Sequence, residues 1–246
     1  MIGEKNEKQG DTPMHVTTDN GSTVKQEAPV EIIPVSHATA VLGWGDTTFY
    51  TDPVGGAQVF AGKPVADIIL VTDIHGDHLD AETLTAVLGN AMLIVPPSVA
   101  ELLPKELASR AHVMKNGETM LERGFTITAM PMYNLPGPEE KRHVKGRGNG
   151  YILEKDGFRV YIAGDTAGIL EMRALANIDI ALLPMNLPYT MGVDEAADAV
   201  LAFKPKHVYP YHYRSPDGLA DVARFKTLVN AGNSDIDVVL LNWYPK

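Results

Sequence analysis

Short runs of apolar, β-branched residues alternate along this chain with segments whose apolar positions are spaced as on a helix. Four runs predict strands buried in a sheet, over 66–73, 91–96, 178–184 and 207–212. Helical spacing predicts helices over 80–88, 97–110, 193–203 and 217–231. A last strand is predicted over 236–241.

Other segments predict antiparallel strands. Residues 31–45 and 47–56 form two β-segments with a turn at Gly45-Asp46, and 125–131 alternates as a strand. Residues 151–165 predict a hairpin around Asp156-Gly157, a strong turn dipeptide. Hairpins combined with strand–helix alternation predict an α+β fold, an αββα sandwich of two mixed sheets flanked by helices.

The N-terminal segment differs from the rest of the chain. Residues 1–30 are polar and nearly free of large apolar side chains, so they cannot bury enough surface to offset the entropy of ordering. We predict a polar tail over 1–30 and one domain over 31–246. The first twenty residues lack the apolar stretch of a signal peptide, so we expect either a cytoplasmic location or export with the signal removed.

Composition excludes several classes of function. The 246 residues carry 21 Lys+Arg against 31 Asp+Glu, a net charge of −10, which does not attract nucleic acid over the whole surface. The absence of cysteine rules out thiolate nucleophiles and Cys-ligated metal sites. No apolar run reaches the roughly 18–20 residues of a membrane span. We expect a small-molecule substrate, and the sequence leaves the oligomeric state open.

The stretch that carries chemistry follows the predicted strand over 66–73. It holds four side chains able to bind a metal within six residues: Asp73, His75, Asp77 and His78. Neutral imidazole and carboxylate suit Zn²⁺, Mn²⁺ or Fe²⁺. The alternative is a polar loop whose aspartates cap the next helix, but Asp80 can supply that cap without the other four residues.

This stretch resembles the His-x-His-x-Asp-His signature of the metallo-β-lactamase superfamily, with Asp73 in place of the first histidine. Four further matches occur in the family's order along the chain. Two lie before this stretch, Ser36-His37-Ala38-Thr39 and Asp52-Pro53, and two after it, Gly164-Asp165-Thr166 and His212. The resemblance covers about 32–242 and is closest to the ascorbate-6-phosphate lactonase-like branch. It implies that 31–246 is a metallo-hydrolase domain.

The resemblance also implies a ligand set for one or two divalent ions, zinc or manganese. Asp77, His78, the bridging Asp165 and His212 would hold one ion, with Asp77, Asp165 and His78 as the catalytic residues. Asp73, His75 and Asp165 would hold the other, where Asn134 stands in the place of a usual histidine. Additional candidates are Asn134, His143 and His37. Asp52 is a candidate for orienting a ligand histidine.

The charge of the loop over 139–150 is relevant to the charge of the substrate. Lys141, Arg142, Lys145 and Arg147 surround His143 in an otherwise acidic chain, which favours an anionic substrate or a merely charged surface hairpin. The resemblance implies metal-activated water acting on a lactone, other ester or amide, or phosphodiester. The alternative is a non-catalytic metal- or ligand-binding protein on a decayed hydrolase scaffold.

Overall fold

The computed structural model describes residues 29–245, and these form two sheets packed face to face. The first sheet has six strands in chain order: β1 (Val30–Ser36), β2 (Thr39–Trp44), β3 (Thr47–Thr51), β4 (Ile68–Leu70), β5 (Met92–Val95) and β6 (Ala111–Val113). Strands β1 to β3 pair antiparallel, and β3 to β6 pair parallel.

The second sheet has seven strands in the order β15-β12-β11-β10-β9-β8-β7. Their bounds are β7 (Thr119–Glu122), β8 (Phe125–Met132), β9 (Gly148–Lys155), β10 (Phe158–Ile162), β11 (Ile180–Pro184), β12 (His207–Tyr211) and β15 (Asp237–Val238). Strands β7 to β10 pair antiparallel, while β10, β11, β12 and β15 pair parallel. A two-stranded ribbon, β13 (Arg214–Ser215) and β14 (Gly218–Leu219), follows β12.

Helices follow the parallel strands. They are α1 (Ala81–Val87), α2 (Pro97–Ala100), α3 (Lys105–Ala108), α4 (Leu170–Arg173), α5 (Val193–Phe203) and α6 (Val222–Gly232). The two faces of β4 show the layering: Ile68 and Leu70 join the large core cluster that links both sheets, whereas Ile69 joins the cluster that includes Leu84 of α1. The predicted αββα sandwich is confirmed.

Several predicted boundaries are wrong. Residues 31–45 form a hairpin rather than one segment, because His37 turns the chain with a φ of 53°. The helix predicted over 97–110 is two short helices, since Pro104 lacks the N–H that would continue the first one. The strand predicted over 236–241 is only two residues long, and α6 begins at Val222 rather than 217.

Other features agree with the sequence. Asp156 and Gly157 have φ of 52° and 77°, the two positive values that a tight hairpin turn requires. Asp80 caps α1 by accepting from the backbone N–H groups of Glu82 and Thr83. No helix within 29–245 is both long and apolar enough to cross a membrane. The predicted tail lies almost wholly outside the described residues, so the boundary at 30/31 stays a prediction.

Candidate metal centre

The predicted ligands meet where strands of both sheets end. Asp52 follows β3, the stretch 73–78 follows β4, Asp165 follows β10, and His212 follows β12. Because parallel neighbours end at the same edge of a sheet, the fold brings these segments together. Within 29–245, three groups of acidic and histidine side chains have ligand atoms within 4.8 Å of one another: His78, Asp165 and His212; Asp73, His75 and His143; His37, Asp77 and His212.

The buried group forms the second of the two predicted positions. The Nε2 atom of His78 lies 3.2 Å from Nε2 of His212 and 3.4 Å from Oδ2 of Asp165. The Nε2 atom of His212 lies 3.4 Å from Oδ1 of Asp165 and 3.2 Å from Oδ2 of Asp77. Two imidazoles and two carboxylates thus face one small volume.

Asp52 fixes which nitrogen of His78 faces that volume. Its carboxylate accepts from the backbone N–H of Thr72 (2.7 Å) and the Thr72 hydroxyl (2.6 Å), and it lies 2.8 Å from Nδ1 of His78. A neutral His78 therefore donates Nδ1–H to Asp52 and presents the lone pair of Nε2. A carboxylate partner of this kind orients a metal-binding histidine and raises its basicity.

The electrostatics of this group fit a divalent cation. Burial alone lowers the pKa of His78, but Asp165 and Asp52 outweigh it and raise that pKa well above its usual value. Burial alone raises the pKa of Asp165, yet His212 and His78 hold it well below its usual value. Oδ1 of Asp165 is buried without a hydrogen-bond donor among residues 29–245. Buried acceptors that converge in this way suit a divalent cation, and a proton would compete with the ion.

His143 lies beside Asp73 and His75, two residues of the first predicted position. Its Nδ1 lies 3.1 Å from the carbonyl oxygen of Tyr189, which can only accept, so the proton of a neutral His143 is on Nδ1. The lone pair of Nε2 then faces Oδ2 of Asp165 at 3.2 Å and Oδ2 of Asp73 at 3.8 Å. His75 reaches the same Asp73 oxygen with Nδ1 at 2.6 Å. The structure therefore brings His143 to the place where the sequence left several candidates.

Asn134 has a different set of contacts. Its Nδ2 donates to the carbonyls of Glu139 and Tyr189, both at 2.9 Å, and its backbone N–H donates to the carbonyl of His143. These bonds brace the loop that carries His143. The role of Asn134 as a metal ligand stays a prediction.

The basic loop is only partly available to a substrate. Arg147 contacts Asp73 with Nε at 3.2 Å and Nη2 at 3.3 Å, so its charge lies against a buried carboxylate. Lys145 pairs with Glu171 at 2.6 Å. Arg142 lines the cavity above the centre. Acidic partners thus offset part of the positive charge predicted for this loop, since Arg142 also pairs with Glu139.

His37 joins the same centre from the turn between β1 and β2. Its Nε2 lies 3.3 Å from Oδ2 of Asp77, and its Nδ1 lies 2.7 Å from the hydroxyl of Tyr244. Burial, the largest influence, lowers its pKa and favours the neutral ring. His37 is therefore a cavity residue that contacts a predicted ligand.

The centre is the floor of a cavity of about 360 Å³. Sequence reasoning named His37, His75, Asp77, Arg142, His143 and Asp165 among its lining residues, which also include Tyr189. It missed Asn186 and Arg214, which also line it. Neither belongs to a motif, and only the path of the chain after β11 and β12 brings them here.

Comparison with known proteins agrees with this geometry. The model of the beta-lactamase superfamily domain matches residues 31–212, well over half of the chain. The chain belongs to the metallo-β-lactamase superfamily. A Pyrococcus furiosus protein named UPF0173 metal-dependent hydrolase is 34% identical over 211 residues, which are 81% of this chain and 92% of that protein.

Two solved structures share the fold of this superfamily member. One, assigned as a metal-dependent hydrolase of Parabacteroides distasonis, has a TM-score of 0.76 at 37% identity and covers 87% of this chain and 94% of that one. The metallo hydrolase Igni18 of Ignicoccus hospitalis has a TM-score of 0.72 at 22% identity, with 86% and 94% covered. The predicted superfamily is confirmed, whereas these names give no support to the ascorbate-6-phosphate lactonase-like branch.

Proposed function

We propose that this protein is a metal-dependent hydrolase that uses one or two divalent ions, zinc or manganese, to cleave a small ester-like substrate. The observation that carries the proposal is the convergence of His78, His212 and Asp165, three buried side chains from two sheets whose ligand atoms lie within 4.8 Å of one another. The relatives named as metal-dependent hydrolases support the reaction class.

The residues have distinct tasks in this proposal. His78, His212, Asp77 and Asp165 would hold one ion, and Asp73, His75 and His143 with Asp165 would hold another. A divalent ion bound there would lower the pKa of a bound water and polarise a carbonyl or phosphoryl oxygen of the substrate. Asp77, whose side chain is 42% exposed, reaches the cavity and can orient a water beside the substrate by accepting a hydrogen bond from it.

The volume of the cavity limits the size of the substrate. A volume of about 360 Å³ lies at the lower end of the range for small-molecule sites. The bonds to be tested are those of lactones, other esters and amides, and phosphodiesters. These three share an oxygen that gains negative charge when water attacks.

The test measures metal and turnover together. The purified protein, His212→Ala and the matched control His112→Ala are analysed for bound metal by mass spectrometry and assayed on a panel of those substrates. His112 is an exposed histidine of β6 outside the three ligand groups. We expect His212→Ala to lose both metal and activity, and His112→Ala to keep both.

Two results would contradict the proposal. Metal retained at the wild-type level in His212→Ala would place the ion elsewhere. Metal bound by the wild type without turnover of any substrate in the panel would favour the non-catalytic alternative.

A further inference from the structure

The cavity above the metal centre has two chemically unlike sides. Its floor is the acidic and histidine cluster, which can take up cations. Its rim is formed by three segments distant in sequence and presents Arg142, Asn186, Tyr189 and Arg214. The hydrogen bonds of these rim residues decide which of their polar groups are left to meet a ligand.

Arg214 is held in place without an acidic partner. Its guanidinium carbon lies 4.3 Å from the ring centroid of Tyr244, and its backbone N–H donates to the hydroxyl of the same tyrosine at 3.1 Å. Among residues 29–245, no carboxylate lies within 4.0 Å of its side-chain nitrogens. A planar guanidinium stacked on an aromatic ring is preorganised for carboxylate or phosphate, so little ordering remains to be done on binding.

Asn186 lines the same cavity, and its amide oxygen is used by a neighbouring hydroxyl. The hydroxyl of Thr190 accepts from the backbone N–H of Asn186 at 3.1 Å, so its own proton goes to Oδ1 of Asn186. That bond fixes the amide with its oxygen used and its NH₂ group free of any hydrogen bond within 29–245. Because Asn186 is 2% exposed and lines the cavity, this NH₂ is a buried-site donor rather than a surface group.

Arg142 adds a second cation from the opposite loop. Its guanidinium carbon lies 4.7 Å from the ring centroid of Tyr189, and Nε pairs with Glu139. Its two terminal nitrogens make no hydrogen bond to another residue within 29–245. Both rim arginines therefore stack on a tyrosine and keep unused N–H donors.

We propose that Arg214, Asn186 and Arg142 form a subsite for an acidic group, a carboxylate or a phosphate, on the substrate of this enzyme. The inference rests on the proposed function, since it places that group on the rim while the bond to be cleaved lies over the floor. The rim offers N–H donors from three side chains, two of them charged, and charged hydrogen bonds are the stronger kind. The substrate is thus a small ester-like compound with a separate acidic group.

The kinetic test compares matched substrates. Each pair consists of a lactone or ester with a free carboxylate or phosphate and the same compound with a neutral group that has no ester or amide bond, a methyl ketone for the carboxylate and a methyl sulfone for the phosphate. The metal-loaded enzyme is compared with Arg214→Gln and Asn186→Asp, which replaces the NH₂ group by an oxygen of similar size. Arg224→Gln is the control, because Arg224 is an exposed arginine of α6 paired with Asp194.

We expect the wild type to prefer the acidic member of a pair. The acidic-to-neutral ratio of kcat/KM should fall about tenfold or more in Arg214→Gln and Asn186→Asp, because each loses a hydrogen bond to a charged group. Arg224→Gln should keep the ratio. A wild type without preference, or both rim variants with an unchanged ratio at normal metal content, would overturn the proposal.

A binding measurement separates the subsite from the proposed function. Titration calorimetry on the metal-loaded protein uses inorganic phosphate and glutarate as probes. The affinity for at least one probe should fall about tenfold or more in Arg214→Gln and stay unchanged in Arg224→Gln, and the probe that responds identifies phosphate or carboxylate. An anion bound by the metal alone keeps its affinity in every rim variant, which overturns the subsite even if hydrolysis is found. Absence of hydrolysis, with probe binding dependent on Arg214, would contradict the proposed function but not the subsite.

Discussion

At the scale of single residues, the hydrogen bonds of the Tyr244 hydroxyl determine which ring nitrogen of His37 carries the proton. The hydroxyl of Tyr244 accepts from the backbone N–H groups of Tyr213 and Arg214, both at 3.1 Å. Burial raises the pKa of Tyr244, so the phenol keeps its single proton, and Nδ1 of His37 at 2.7 Å is left to accept it. A neutral His37 therefore carries its proton on Nε2 and donates it toward Asp77.

This tautomer is testable without any substrate. Nitrogen-15 NMR of the metal-loaded protein should show His37 with an unprotonated Nδ1 and a protonated Nε2. Tyr244→Phe removes the fixing proton and should shift the spectrum toward a mixture of tautomers, whereas Tyr209→Phe, a tyrosine of β12 without a contact to His37, should not. Protonated Nδ1 in the wild type would refute the assignment.

Asp73, a predicted metal ligand, already has a cation beside it in the folded chain. It stands where the superfamily signature has a histidine, and Arg147 contacts both of its oxygens. The positive charge of Arg147 offsets part of the carboxylate charge that would otherwise attract a metal ion. We therefore expect the first position to bind zinc more weakly than the second.

Asp73→His should raise zinc affinity at the first position, because imidazole suits zinc better than an oxygen ligand does. Competition titration with a chelator measures the change, and Arg147→Gln separates the effect of the lost ion pair from that of the new ligand. Zinc affinity unchanged in a folded Asp73→His variant would mean that Asp73 does not face the metal.

At the scale of elements, two of the glycines in 146–150 belong to a strand rather than to a loop. The alternation of Gly146, Gly148 and Gly150 predicts a tight loop lining the pocket, yet Gly148 and Gly150 are the first and third residues of β9. A Cβ on Gly150 would lie 2.7 Å from the carbonyl oxygen of Ala163, and one on Gly148 would lie 2.7 Å from that of Thr72. These glycines let β9 pass close to the segments that carry the metal ligands.

Gly150→Ala should therefore destabilise the fold by about 1–3 kcal/mol, since backbone atoms cannot move aside as a flexible side chain can. Gly43→Ala in β2 is the matched control, because the nearest atom to its added Cβ is 3.9 Å away. Urea unfolding of both variants measures the difference. Equal stability of the two would show that β9 has room that the geometry denies.

At the scale of the whole molecule, the predicted metal ligands come from both sheets. Asp73, His75, Asp77 and His78 follow a strand of the first sheet, whereas Asp165 and His212 follow strands of the second. An ion bound by both sets holds the two sheets together at one edge of the sandwich, and it stabilises the folded state in proportion to its binding free energy.

Chelation should therefore lower the melting temperature. An ion present at a thousandfold excess over its Kd contributes about 4 kcal/mol, which for a domain of this size corresponds to a shift on the order of 10 °C. His212→Ala, which lacks one ligand from the second sheet, should show a much smaller shift. Melting curves that coincide with and without chelator would argue against a metal shared between the sheets.

The sequence by itself determined the layers of the fold and named most residues of the candidate metal centre. Buried β-branched runs and helical spacing are local patterns, and the Asp73–His78 stretch concentrates its ligands within six residues. The tertiary structure decided what depends on distant segments: that His143 reaches Asp165, that Arg147 lies on Asp73, and that Asn186 and Arg214 line the cavity. The physical reason is that these contacts join loops from different strand ends, whose positions follow from sheet order and not from any local pattern of side chains.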